Sequence, residues 1–478
     1  MNWADSCYRA LETRDARFDG RFFTAVRTTG IYCRPVCPAP RPKQENVIFF
    51  RFAAAAQEAG FRPCLRCRPE LSPDAPAALG TSATINRALR LIGDGALDET
   101  SVDDFAARLG VGERHLRRLF LEHVGASPLT VAQTRRILFA KKLIDETSLS
   151  MADIAVAAGF GSVRRFNDAF TATYGRSPRE LRRTSKHPRP VSGIVLKLPY
   201  RGPYNWPAMM RFFAPRAIQG VEFVSEDCYR RTIAVDGVPG YFEVRPVAGE
   251  TYLEAHIDIA NAGAINRIAT RLRRMFDLHT DTETIAEHLR RDPVLARHVD
   301  AAPGMRLPGA WDPFELAVRA ILGQQVSVKA ASTLAGRIVE KYGRPFTAAE
   351  GLSHLFPAPK VLARADLTKL GIVGARAQAI SSFAAAVASG ALALEALDGL
   401  NEIVDCLCEQ PGIGQWTAHY LAMRAYAEPD AFPASDLGLR KGVSKDKQPV
   451  SATELARMAE TWRPWRAYAA MILWMEAL

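Results

Sequence analysis

The 478-residue sequence has no long apolar run. Its longest uncharged stretch, Ala377 to Leu394, is mostly Ala, Ser and Gly and is broken by Gly390, which suits a helix of a soluble domain and its end rather than a membrane span. The first residues, Met1-Asn2-Trp3-Ala4-Asp5, have neither a basic start nor an apolar core, so no signal peptide is expected and the chain reads as cytosolic. That setting weakens a disulfide framework as the use of its eight cysteines. Excess charge is also missing from the larger part of the chain. Residues 191–478 hold 32 basic against 31 acidic side chains, whereas residues 1–190 hold 30 against 20. Long-range attraction to a polyanion is therefore a task for the first half, and the second must hold any anionic partner through local geometry. The length suits three or four domains, each with its own core.

What is present is a cysteine pattern. Cys33-x3-Cys37 is followed after 26 residues by Cys64-x2-Cys67, and soft thiolates at these separations can close one tetrahedral shell around Zn²⁺. A purely structural zinc knot fits the same spacing. Cys7, Cys228, Cys406 and Cys408 are scattered and read as ordinary free thiols. Arg27, Arg34, Arg41, Lys43, Arg62, Arg66 and Arg68 surround the four candidate ligands, so the site is expected to meet an anion, DNA foremost.

Around these ligands, Arg21-Phe22-Phe23-Thr24-Ala25-Val26-Arg27, Gly30-Ile31-Tyr32-Cys33-Arg34-Pro35 and Gly60-Phe61-Arg62-Pro63-Cys64-Leu65-Arg66-Cys67 resemble the N-terminal domain of Ada-type adaptive-response proteins over about residues 1 to 75. The resemblance implies a zinc site on Cys33, Cys37, Cys64 and Cys67 that takes a methyl group from a methylated DNA phosphate, with Cys33 as the acceptor. A zinc-bound thiol is already a thiolate and needs no separate base. The Pro-Cys-His-Arg run of the O6-alkylguanine transferase domain that ends many Ada proteins is absent, so direct repair of O6-methylguanine is not expected.

Two similar units follow. Val102 to Gly112 leads into Glu113-Arg114-His115-Leu116-Arg117-Arg118-Leu119-Phe120, and Met151 to Ser162 leads into Val163-Arg164-Arg165-Phe166-Asn167-Asp168-Ala169-Phe170. Each has an apolar helix, a Gly-bearing turn, and a second helix whose apolar residues recur at three and four, which is a helix-turn-helix. The second helices leave Arg114, His115, Arg117, Arg118, Arg164 and Arg165 on the open face as candidate DNA contacts. A solvated charged face is the plain alternative, and two tandem copies beside a basic zinc module weaken it. Paired in this way and closed by Tyr174-Gly175-Arg176-Ser177-Pro178, the segment resembles the AraC-type DNA-binding domain.

A polar connector, Thr184-Ser185-Lys186-His187-Pro188-Arg189-Pro190, marks a boundary. From Ser192 to about Asp277, alternating runs such as Gly193 to Leu198 and Thr232 to Val235, then a helical pattern from Ala264 to Met275, predict an antiparallel sheet with helices. From about Thr282 the pattern is helical to the end. There, Gln410-Pro411-Gly412-Ile413-Gly414-Gln415-Trp416 places a Gly-rich turn between two helices, so that backbone amides near Gly412 and Gly414 can approach a phosphate. Phe432-Pro433-Ala434-Ser435-Asp436 follows, with Asp436 twenty residues after Trp416. This resembles the helix-hairpin-helix DNA glycosylases. The closer likeness is to AlkA-type 3-methyladenine DNA glycosylases, through Phe314 to Val328, the hairpin, and Trp462-Arg463-Pro464-Trp465-Arg466-Ala467-Tyr468, over about residues 192 to 478.

That resemblance implies that Asp436 is the catalytic carboxylate, that Trp416, Tyr420 and Trp474 line the base pocket, and that Gln325 fills the gap left by a flipped base. Gln325 stands in place of an apolar wedge, and Leu437 follows Asp436 where the best-known pattern has an aromatic. Trp416 occupies the lysine position of bifunctional glycosylases, so no lyase step is expected. Plain alternatives exist here too: Asp436 after Ser435 suits a helix cap, and aromatics in a helical domain suit a core.

The expected fold is multidomain and mainly α with α+β parts: an Ada-type zinc methyl-acceptor domain over 1–75, an AraC-type double helix-turn-helix over 80–184, an antiparallel α+β domain over 191–280, and an all-α helix-hairpin-helix glycosylase domain over 281–478. The expected function is DNA alkylation repair and its regulation: suicidal methyl transfer to cysteine, transcription activation, and monofunctional excision of N3- or N7-alkylated purines as a DNA-3-methyladenine glycosylase II. The alternative is a methylation-responsive regulator whose glycosylase-like half only binds DNA. The cofactor is Zn²⁺. Partners are double-stranded DNA, alkylated and promoter, and RNA polymerase, with no membrane, in a bacterial cytoplasm at the nucleoid.

Overall fold

The computed structural model describes residues 2–73, 83–184, 193–397, 399–444 and 448–477. The connector expected at 184–190 and the junction between 75 and 80 lie almost wholly outside the described residues. The chain divides into two compact units. One comprises Met1–Arg201, Val247–Thr270 and Leu278–Thr280, and the other Gly202–Pro246, Arg271–Asp277 and Asp281–Leu478.

In the first unit, strand Phe23–Val26 pairs antiparallel with both Ile31–Cys33 and Val47–Phe50, and Arg62–Pro63 runs parallel to Ile31–Cys33. Phe23, Ala25 and Tyr32 bury their side chains with Ala56 of the helix Ala53–Glu58. The parallel pairing carries the chain on to Cys64, whose N–H donates to Tyr32 O at 3.0 Å, so sheet register brings the two distant cysteine pairs together.

The predicted helix-turn-helix units form at Val102–Arg108 with Glu113–His123 and at Met151–Ala157 with Val163–Tyr174, joined by the long helix Pro128–Glu146. Ser101, Ser127, Ser150 and Ser162 each accept the backbone N–H of the third residue of the helix that follows, which satisfies an orphan donor there. A core of Ile85, Phe105, Leu116 and Phe120 holds the first copy together. The first unit also contains the antiparallel pair Ile194–Pro199 and Tyr252–Ile259.

Two of the seven basic residues expected to surround the cysteines as anion contacts are instead paired inside the first unit. Arg34 is held by Asp19 through its Nε at 3.0 Å. Arg68 bonds to Glu70 at 3.1 Å, Asp145 at 3.1 Å and Glu146 at 3.6 Å. Lys141 joins Asp145 at 2.5 Å and Lys142 joins Glu146 at 2.9 Å, so three cations and three carboxylates share one buried cluster. Arg27, Arg41, Lys43, Arg62 and Arg66 remain exposed.

In the second unit, strands Glu222–Val224, Tyr229–Val235 and Val238–Pro246 pair antiparallel in order. Helices follow as expected, with one correction: residues 344–355, read as helical, form a hairpin of Arg344–Ala349 and Leu352–Leu355. Gly351 turns it at φ +82°, and Thr232 Oγ1 donates to His354 O at 2.6 Å, so a neighbouring strand, not local periodicity, decides its state. Beneath lies a buried quartet. Arg231 meets Glu315 at 2.6 Å, and Arg319 meets Glu222 at 2.9 Å and Glu315 at 3.0 Å.

The two helix-turn-helix turns differ in tolerance. Gly110 and Gly159 both have positive φ, +72° and +82°, but a Cβ on Gly110 meets open space while one on Gly159 falls 2.2 Å from Asp98 Oδ2. Asp98 cannot retreat freely, because Arg135 holds it at 2.6 Å and Arg136 at 2.8 Å. Gly110→Ala is expected to cost about 1 kcal/mol, the strain of a left-handed alanine. Gly159→Ala should cost roughly 2 to 4 kcal/mol, with overpacking added. Equal losses in denaturant unfolding would contradict this.

Candidate functional site

Strand Ile31–Cys33 and the turn after Pro63 bring Cys33, Cys37, Cys64 and Cys67 together, with all four sulfurs within 4.8 Å of one another. A tetrahedral Zn–S shell places sulfurs about 3.8 Å apart, so four sulfurs gathered this near one another can close around that ion. Backbone N–H groups point at the sulfurs, Arg34 N to Cys67 Sγ at 3.3 Å and Arg66 N to Cys64 Sγ at 3.4 Å, which favours thiolates. Hydrogen bonding among the four thiols pushes Cys33 and Cys67 above the usual thiol range and pulls Cys64 below it, with Cys37 lowered to about 7. A divalent cation relieves that competition for protons by holding all four deprotonated. Cys37, Cys64 and Cys67 are buried and Cys33 is half-buried, so the sulfurs differ in access.

On the helix-turn-helix pair, Arg114, His115, Arg117, Arg118, Arg164 and Arg165 are all exposed on the second helix of each copy. Leu116, Phe120, Phe166 and Phe170 take the opposite face. Arg117 pairs with Glu113 at 3.0 Å, and Arg118 Nη2 contacts His115 Nδ1 at 3.0 Å.

In the second unit the predicted excision residues converge. The turn after helix Leu400–Cys408 has Gly412 at φ +80°, where a Cβ would lie 2.5 Å from Ala379 Cβ. Gly414 opens helix Gln415–Ala425 and has free space around it. Trp416 and Tyr420, four apart on that helix, stack at 5.2 Å and 8°. Trp474 meets Tyr420 edge-on at 6.1 Å. Both indoles donate to one carboxylate, Trp416 Nε1 to Asp436 Oδ2 at 2.9 Å and Trp474 Nε1 to Asp436 Oδ1 at 3.0 Å. Asp436 also caps helix Leu437–Gly442 through Leu439 N at 2.9 Å.

Gln325 is exposed at φ +58°, at the tip of the turn between helices Pro313–Leu322 and Val328–Tyr342. Its neighbour fixes that turn. Gln324 Nε2 donates to Gly412 O at 2.8 Å, and Arg376 donates to Gln324 O. Sequence reading passed over Gln324, Arg376 and Arg424. Arg424 was findable, since it stands four residues after Tyr420 on one helix and donates to its hydroxyl at 2.6 Å. Gln324 and Arg376 left no signal, because their partners are backbone carbonyls distant in sequence.

Among the described residues no helix is long and apolar enough to cross a membrane. Four family profiles match in order: "Metal binding domain of Ada" over residues 6–70, "Helix-turn-helix domain" over 105–184, "AlkA N-terminal domain" over 195–312, and "HhH-GPD superfamily base excision DNA repair protein" over 318–467. A Mycobacterium tuberculosis protein named "Probable bifunctional transcriptional activator/DNA repair enzyme AlkA" is 42% identical, covering 98% of this chain and 96% of that protein. DNA-3-methyladenine glycosylase 2 of Escherichia coli is 33% identical over 58% of this chain and 95% of its own. The 3-methyladenine DNA glycosylase of Archaeoglobus fulgidus shares the fold over 58% of this chain and 96% of its own, with TM-score 0.51 at 22% identity. With a relative so similar along nearly its whole length, the chain belongs to the family of bifunctional transcriptional activator/DNA repair enzymes that join an Ada-type metal-binding module to an AlkA-type glycosylase.

Proposed function

We propose that this chain accepts methyl groups from DNA phosphotriesters at Cys33, binds promoter DNA through its paired helix-turn-helix units, and excises N3- or N7-alkylated purines at Asp436. The observation that carries the excision reading is the convergence of Trp416, Trp474 and Asp436 within hydrogen-bond reach beside Tyr420. Alkylation at N3 or N7 makes the purine cationic and already a good leaving group, so the work left is to extrude it, hold it, and stabilise a sugar of oxocarbenium character. The Asp436 carboxylate, oriented by two indoles, opposes that developing charge. The ring faces of Trp416 and Tyr420 favour a cationic base by roughly 0.5 to 2 kcal/mol per good contact. Amides around Gly412 and Gly414, with the start of the helix behind them, grip the phosphate, and Gln325 enters the gap. Trp416 offers no amine for a Schiff base, so the product is an intact abasic strand.

Cys33, Cys37, Cys64 and Cys67 hold the metal, and Cys33 is the sulfur with access. Bound Zn²⁺ keeps these sulfurs as thiolates at neutral pH and leaves the cluster with a net charge of about −2. The Cys33 sulfur forms a bond to the methyl carbon as the phosphotriester oxygen–carbon bond breaks, and the phosphodiester regains its negative charge. One negative charge is thereby lost from the cluster, so repulsion from nearby phosphates falls and DNA binding tightens. A promoter-bound activator of this kind works in the bacterial cytoplasm at the nucleoid, with RNA polymerase as its further partner.

Metal analysis is expected to give one zinc per chain, and peptide mapping after exposure to methylated DNA should find methyl on Cys33 alone. Methyl on Cys64 or Cys67 would overturn the acceptor assignment. Affinity for promoter DNA should rise on methylation at fixed salt and fall steeply as salt increases. An unchanged footprint and affinity would limit the zinc site to repair.

For the excision site, Asp436→Asn should lower base release by roughly a hundredfold or more while leaving DNA binding largely intact. Asparagine caps a helix as well as aspartate, so its stability should shift by only a few tenths of a kcal/mol, whereas Asp436→Ala should lose about 1 kcal/mol. Wild type should release 3-methyladenine and show strand breaks only after alkali. Full release by the asparagine variant would refute the catalytic role.

A further inference from the structure

The turn that carries Gln325 is tied to the hairpin beside it. Gln325 is exposed and holds φ +58°, a left-handed backbone that is unfavourable for a residue with a Cβ and lasts only where its surroundings enforce it. The enforcement comes through the residue before it. Gln324 is half-buried, and its side-chain Nε2 donates to Gly412 O at 2.8 Å and to Thr417 Oγ1 at 3.3 Å. Its main-chain oxygen accepts from Arg376 Nη2. One residue thus joins three elements: the turn between helices Pro313–Leu322 and Val328–Tyr342, the hairpin that leads into helix Gln415–Ala425, and helix Gly374–Ser389.

The third element closes the triangle. Arg376 and Ala379 stand three residues apart on helix Gly374–Ser389 and so share a face. Arg376 holds the carbonyl of Gln324, while Ala379 backs Gly412, where an added Cβ would fall 2.5 Å from the alanine methyl. Gly412 is therefore set from two sides, by that methyl and by the Gln324 amide. Thr417, almost fully buried, offers its hydroxyl oxygen to the same amide, so one side chain spans the hairpin and the first turn of the helix behind it.

Extruding a base breaks its stacking on both sides, and the stack closes again unless something occupies the space. A side chain placed there resists closure only if its backbone is anchored to a part of the protein that is itself held on the strand. In the excision reading that part is the hairpin around Gly412 and Gly414. Resting on that reading, we propose that Gln324 is a positioning residue that ties the Gln325 turn to the phosphate-holding hairpin, so that the grip on the strand braces Gln325 as it enters the gap. Gln324 touches no base in this role and acts through its neighbour alone.

Excision by the full chain should be followed on 7-methylguanine paired with cytosine in a duplex and on the same lesion in a one-base bulge, where little stacking is left to break. Gln324→Met keeps length and loses both donor bonds, so kcat/KM on the paired lesion should fall about 3- to 10-fold while the bulged lesion changes by less than about twofold. Gln325→Ala should show the same contrast between substrates, and the double variant should be no slower than Gln325→Ala alone, since Gln324 acts through that residue. Gln324→Glu, which sets a carboxylate against the Gly412 oxygen at unchanged size, serves if the methionine variant does not fold. Equal losses on both substrates, or losses that multiply in the double variant, overturn the inference. Release from neither substrate by wild type would sink the excision reading instead. The tether is then decided by 2-aminopurine placed opposite a stable abasic site. Its fluorescence should change when wild type binds and much less with Gln324→Met, and an equal change in both, or none with wild type, overturns the inference.

Discussion

Taking an ion out of water costs several kcal/mol unless a partner of opposite sign is held within hydrogen-bond reach, and each unit of this chain is organised around that requirement. In the first, Arg68 follows Cys67 of the four-cysteine cluster directly and is bound to Asp145 and Glu146 at the end of the long helix Pro128–Glu146. That helix joins the two helix-turn-helix copies. A second link runs from Tyr32, beside Cys33, through Gln57 to Thr134 of the same helix, by hydrogen bonds of 3.0 Å each. Because none of these groups can be left unpaired when buried, the four-cysteine cluster is fixed relative to that helix. In the second unit, Glu222, Arg231, Glu315 and Arg319 tie a strand to the helix whose end leads into the Gln325 turn.

Charges left in water do the opposite work. Arg114, Arg117, Arg118, Arg164 and Arg165 are exposed, and Arg62 and Arg66 stand free beside the cysteines, so a surplus of ten positive charges in the first 190 residues is available to a polyanion. The second half is near neutral and cannot attract DNA from a distance. Its hairpin offers backbone amides near Gly412 and Gly414 instead, which are partial charges fixed by geometry and suit an anion without net charge. The two halves of one chain thus offer an anion different physics, net charge in the first and fixed backbone dipoles in the second.

Much of this was legible in the sequence because it is local. Cysteine spacing, the three-and-four periodicity of the recognition helices and the glycines of the hairpin each depend on a few neighbouring residues, and the structure places them as local rules require. Legibility ended where a partner lies far along the chain. Arg34 and Arg68 read as phosphate contacts since nothing near them reveals Asp19 or Asp145. The hairpin at 344–355 read as helix because its conformation is set by a strand more than one hundred residues earlier, through Thr232 and His354. Tandem helix-turn-helix copies also looked equivalent, yet Asp98 closes on Gly159 and leaves Gly110 open.

Asp436 shows why a plain structural role and a chemical one need not compete. The sequence offered a helix cap or a catalytic carboxylate, and the cap is real: Oδ1 accepts Leu439 N at 2.9 Å. Capping places the carboxylate at the start of helix Leu437–Gly442 and removes its freedom to rotate. Two indoles then take two more of its lone-pair directions, Trp474 on Oδ1 and Trp416 on Oδ2, and one on Oδ2 stays open. A carboxylate that must face a transient positive charge gains from being immobile beforehand, since no reorganisation is then needed as the charge develops. The cap is therefore one source of the preorganisation, and the two indoles that supply the other donors are both packed against Tyr420, Trp416 by stacking and Trp474 edge-on. The same group of contacts that orients the acid also shapes the space beside it.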